Sequence, residues 1–100
     1  MTRTPEGRVK ARISKLLADY GNVAYVMPIG SAYGIPALDY IGAVNGHAFV
    51  VEAKAPGGKV TARQAMTLDR WAAAGATCFV VQDDAGISAL RAWLVERGAA

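Results

Sequence analysis

Residues 38–54 read LDYIGAVNGHAFVVEAK. Two β-prone runs, Leu38 to Val44 and His47 to Lys54, flank Asn45-Gly46, and Asn-Gly between such runs is the strongest short hairpin signal. With a two-residue turn, Val44 stands opposite His47. Counting outward then brings Asp39 opposite Glu52, with Cβ atoms about 5 Å apart. Side chains alternate between faces. One face therefore carries Ala37, Asp39, Ile41, Ala43, Ala48, Val50, Glu52 and Lys54. The other carries Leu38, Tyr40, Val44, Phe49, Val51 and Ala53, with His47 at the turn. Both faces are mostly apolar, so both are expected to be covered by other elements.

Two carboxylates directly opposite each other repel, the more so as water is withdrawn. Three arrangements relieve this. Lys54 can neutralise the pair in a structural charge cluster. One carboxyl can stay protonated in a hydrogen-bonded dyad. A divalent cation can sit between the acids with Lys54 beside it, and oxygen-rich carboxylate sites suit Mg²⁺ or Mn²⁺.

The flanking sequence supplies the rest of one layered unit. Before the hairpin, Thr4-Pro5-Glu6-Gly7 has the form of a helix start, followed by Val9, Ile13, Leu16 and Leu17 at helical spacing. Gly21-Asn22 is read as its stop, Val23 to Met27 as a strand and Pro28 to Pro36 as a loop. After the hairpin, residues 55–59 form a second loop. Thr61 caps a helix from Ala62 to Ala74, with Gly75 past its end. Thr77 to Val81 is an apolar strand, and Asp83 or Asp84 opens a last helix ended by Gly98. The order is α-β-β-β-α-β-α, an α/β domain with a mixed central sheet flanked by helices.

Composition bounds the function. The chain has 100 residues, 53% hydrophobic and 19% charged, with a mean hydropathy of +0.21. That excludes a disordered tail. One cysteine, Cys78, excludes a disulfide scaffold, and with one histidine it leaves no zinc site. No run reaches the roughly 18 apolar residues of a membrane span. Met1 to Lys10 is polar and basic, without the apolar stretch of a secretory signal, so a cytoplasmic protein is expected. No Gly-x-x-x-x-Gly-Lys phosphate loop is present, which argues against a nucleotide cofactor. The net charge is +3, and all the excess lies in residues 1–20, where Arg3, Arg8, Lys10, Arg12 and Lys15 face only Glu6 and Asp19. A basic patch of this kind suits a polyanion such as nucleic acid, or is a solvated helix face.

Asp39, then Glu52-Ala53-Lys54 after a hydrophobic strand, resembles the PD-(D/E)XK nuclease signature. The finer match is to its VRR-NUC branch, whose stand-alone phage members have about this length. The shared features are Glu6 near the start of the first helix, Gly34-Ile35-Pro36 before the motif aspartate, and Gly42 three residues after it. The Asn-Gly turn, the Glu-x-Lys strand ending in Ala-Pro-Gly, Thr61-Ala62-Arg63-Gln64 and Ala74-Gly75-Ala76 before Phe79-Val80-Val81 complete the likeness. Ala37-Leu38 depart from it, since many members place proline directly before the aspartate.

The resemblance implies a single nuclease domain over residues 1–100 with a restriction-endonuclease-like fold, hydrolysing DNA phosphodiester bonds with Mg²⁺ or Mn²⁺. It implies that Asp39, Glu52 and the backbone carbonyl of Ala53 ligate the metal, with Glu6 a further ligand or a nearby acid. Lys54 then orients or deprotonates water, or stabilises developing phosphate charge. Gln64 meets the water or a phosphate, or is an exposed helix glutamine. Arg8, Arg12, Lys15, Lys59 and Arg63 become phosphate contacts, and Tyr33 either meets DNA or packs. The resemblance further implies a homodimer acting on branched DNA such as a four-way (Holliday) junction, in a phage within its bacterial host. Two other function classes stay open: a non-catalytic nucleic-acid binding module on the same fold, and a structural or inhibitory subunit whose charges only pack.

Overall fold

The computed structural model describes residues 4–28 and 38–100. Tyr33, the Gly34-Ile35-Pro36 segment and Ala37 lie outside the described residues. Helix α1 (Pro5–Ala18) begins as its sequence dictates: Thr4 accepts a hydrogen bond from the Gly7 N–H at 3.0 Å, and Pro5 fills the first position. It ends at Ala18, before the expected Gly21-Asn22 stop. Those two residues clamp the C-terminus instead. Asn22 donates to the Gly98 carbonyl and accepts from the Ala100 N–H, both at 2.9 Å, and the Gly21 N–H donates to the Ala100 carbonyl at 2.9 Å.

Four strands follow the expected order: β1 (Val23–Val26), β2 (Tyr40–Val44), β3 (His47–Ala53) and β4 (Thr77–Val81). They lie side by side as β1-β2-β3-β4, with antiparallel pairing except for parallel β3 and β4. The register is the predicted one, with Val44 opposite His47 and Tyr40 opposite Val51. Asn45 and Gly46 both take positive φ, 46° and 82°, the two-residue turn that matches strand twist. Helix α2 (Ala62–Ala73) and α3 (Asp84–Glu96) complete a mixed α/β domain. Asp83 caps α3 by accepting from the Gly86 N–H at 2.9 Å.

The two faces are covered unequally. Helices α1 and α3 bury Tyr40, Val44, Phe49, Val51, Ala53 and Val81 under Ile13, Leu17, Leu90 and Leu94. Trp93 sits in this layer, edge-on to Phe49 and Phe79 at 5.8 and 5.5 Å, and is a core anchor. On the other face, Leu68 of α2 packs on Val50, with half-buried Trp71 beside it. Helix α2 does not span this face: Val26 of β1 stays 62% exposed, and Met66 points away from the sheet, 68% exposed on α2. Leu38 packs with Val50 on the α2 side, not with Tyr40 as alternation predicted. Alternation holds only inside a strand, and Leu38 precedes β2.

Gly42 has a packing reason. A Cβ there would stand 2.4 Å from the Ala24 carbonyl oxygen and 2.6 Å from the Phe49 ring. The Phe49 ring therefore occupies the place of a side chain. Gly42→Ala is expected to destabilise the fold by about 2 kcal/mol or more through overpacking, read as a lower urea midpoint with an unchanged slope. Among the described residues, no helix is long and apolar enough to cross a membrane.

Candidate functional site

The hairpin register delivers two acids to one end of the sheet. Asp39 stands just before β2, and its Oδ2 accepts the Ala53 N–H at 2.8 Å. Its side chain thus continues the β2–β3 pairing by one rung and fixes the carboxylate opposite Glu52. Glu52 lies on β3, only 4% exposed. Its Oε1 accepts from Gln64 Nε2 at 3.3 Å. Its Oε2 is buried with no hydrogen-bond partner in the structure. An ionised buried oxygen in that condition is costly.

The charge state follows. Burial, then the charge of Asp39 and a hydrogen bond to it, hold the Glu52 carboxyl far above the usual range, at about 7. Lys54 works in the opposite direction, and Glu6 adds a small upward push. A carboxyl enclosed beside a second acid resists ionising, which is the repulsion that all three arrangements relieve. A dication between the acids would relieve it and satisfy the orphan oxygen.

Gln64 is positioned by local sequence. It is the third residue of α2, where its Oε1 accepts the Thr61 N–H at 2.9 Å while Thr61 Oγ1 accepts the Gln64 N–H at 3.1 Å. This reciprocal cap leaves the Gln64 amide nitrogen aimed at Glu52, so Gln64 is half-buried and engaged rather than a free surface glutamine. Lys54 follows β3 directly and is half-exposed. Its backbone N–H donates to the Val81 carbonyl at 2.9 Å.

The cation on Asp39 is Lys10, a member of the basic patch of residues 1–20. Its Nζ lies 3.3 Å from Asp39 Oδ1 and 3.7 Å from Glu6 Oε2. Burial works to lower the Lys10 pKa, but the charge of Asp39, a hydrogen bond to it, and Glu6 and Glu52 outweigh it, so the pKa is raised. The i, i+4 spacing of Glu6 and Lys10 was the available signal. Tyr40 anchors this stretch of α1, donating to the Lys10 carbonyl at 2.8 Å and lying 2.7 Å from Ser14 Oγ.

Glu6 therefore reaches the centre through Lys10. Among the described residues, no three His, Cys, Asp or Glu side chains are gathered for a metal ion. A cation here would rely on Asp39, Glu52, the backbone carbonyl of Ala53 and non-protein oxygens. The charge-cluster arrangement also changes hands, since the ion pair to Asp39 comes from Lys10 and not Lys54.

Arg8, Arg12 and Lys15 of α1 are exposed, as are Lys59 and Arg63. Arg12 is paired with Asp84 at the start of α3. Arg8 and Arg12 line a cleft of about 470 Å³ whose far side carries Gln82 and the acids Asp83 and Asp84, so its charge is mixed. His47 is exposed at the hairpin tip. Compared with known proteins, the chain matches no family model, no curated protein and no solved structure.

Proposed function

We propose that this protein is a divalent-metal-dependent DNA endonuclease of the VRR-NUC branch of PD-(D/E)XK nucleases. The observation that carries the reading is Glu52 Oε2, buried and unpartnered beside the Asp39 carboxylate. The donor set is hard oxygen, which fits Mg²⁺ or Mn²⁺. Asp39, Glu52 and the Ala53 carbonyl would hold the ion. Bound there, it would supply Lewis acidity toward the phosphate and lower the pKa of water.

The chain's own residues do the remainder. The Ala53 N–H fixes the rotation of Asp39, and Gln64 fixes that of Glu52. Lys54, half-exposed just past β3 and near enough to pull the Glu52 pKa down, would orient water or stabilise charge developing on the phosphate. Arg8, Arg12, Lys15, Lys59 and Arg63 offer sequence-independent phosphate contacts. Branched DNA as substrate and a homodimer cutting both strands belong to the same proposal. Val26 on edge strand β1 and Met27 just past it, 62% and 49% exposed, would give a second protomer apolar surface to meet.

A second reading is a non-catalytic nucleic-acid binding module. It draws on the Lys10–Asp39 ion pair, which neutralises one acid without metal. The discriminating experiment incubates the protein with duplex, single-stranded, flap and four-way DNA, with and without Mn²⁺. Metal-dependent cutting, lost in Asp39→Asn, is the expected result. Salt-sensitive binding with no cutting under any metal would favour the second reading.

A further inference from the structure

We propose that Lys10 is a stand-in cation for Asp39: it competes with the metal for Oδ1 and, once displaced, contacts a phosphate of bound DNA. This rests on the nuclease reading above. One Asp39 oxygen is committed to the Ala53 N–H at 2.8 Å. The other, Oδ1, is the oxygen turned to Lys10 Nζ at 3.3 Å. Asp39 Oδ1 would have to serve both that ammonium and a bound dication, and two like charges cannot share one oxygen cheaply.

Lys10 is equipped to move. Its side chain is 36% exposed, on a flexible four-carbon stem. Glu6, one turn earlier on the same helix and 44% exposed, already lies 3.7 Å from its Nζ. Leaving Asp39, the ammonium keeps an acid partner in Glu6 and stays within reach of a phosphate brought to the two acids. Glu6 then tethers Lys10, which explains why an acid of the first turn faces the centre without joining Asp39 and Glu52 in a ligand cluster.

The test uses the intact protein and two readouts besides turnover. Mn²⁺ binding is measured without DNA by calorimetry, and DNA affinity is measured in Ca²⁺ across a salt series. Lys10→Met is expected to bind Mn²⁺ about tenfold more tightly than wild type, while its DNA affinity falls and the salt slope drops by about one. Lys10→Arg should keep the salt slope, and Arg91→Gln, a charge loss on the exposed side of α3, should change neither readout. Wild type binding Mn²⁺ and cutting DNA, with Lys10→Met showing unchanged or weaker Mn²⁺ affinity, overturns the role of Lys10 alone. An unchanged salt slope in Lys10→Met overturns the phosphate contact. Wild type that neither binds Mn²⁺ nor cuts overturns the nuclease reading and this inference with it.

Discussion

Glu52→Gln raises the melting temperature of the metal-free protein by about 10 °C or more at pH 8, and by much less at pH 5. The sign follows from the carboxyl's position at about 7, above its ordinary 4.5. Between those values the folded chain holds a proton that the unfolded chain has released, so stability falls as pH rises through this window. Above about pH 7 the charged, buried carboxylate costs the fold about 3 kcal/mol. The amide substitution removes that charge, retains an acceptor for Gln64 and adds a donor that can turn to Asp39. Asp39→Asn should gain far less, because Asp39 is ion-paired to Lys10 and accepts the Ala53 N–H. Adding Mn²⁺ should close the gap by stabilising wild type and not Glu52→Gln. Equal melting of wild type and Glu52→Gln at both pH values in chelator would show that Glu52 carries no such burden.

Lys54→Met is expected to slow Mn²⁺-dependent DNA cutting about a thousandfold, the scale on which loss of one charge-stabilising donor reduces turnover. Mn²⁺ affinity should be retained, because the acids and their supports from Ala53 and Gln64 are untouched. Removing a nearby positive charge should if anything tighten it. Single-turnover cleavage with saturating Mn²⁺ isolates the effect from binding. Cutting at the wild-type rate in Lys54→Met would remove Lys54 from the reaction and leave Lys10 as the cation nearest the acids.

The hairpin, its register and the placement of Asp39 against Glu52 were legible because Asn45-Gly46 admits few turn geometries, and alternation does the rest. The helix starts at Thr4, Thr61 and Asp83 were legible for the same local reason: a short polar side chain satisfies backbone N–H groups within three residues of itself. Helix and strand ends were less so. Gly21-Asn22 has the chemistry of a stop signal but serves the C-terminus, a partner nearly eighty residues away in the chain.

The remainder belongs to the tertiary structure. Which faces α1, α2 and α3 cover depends on how they pack on the sheet, and no local pattern specifies it. The approach of Lys10 to Asp39 joins a helix to a strand entrance far along the chain; the i, i+4 spacing announces the Glu6–Lys10 pair but not this one. The orphan oxygen of Glu52 is likewise a property of enclosure: β3 carries the acid inward, while Gln64 reaches only one of its two oxygens. Sequence determined that two acids would meet. Packing decided which neighbour each would find, because burial and charge act through space over distances that chain order does not record.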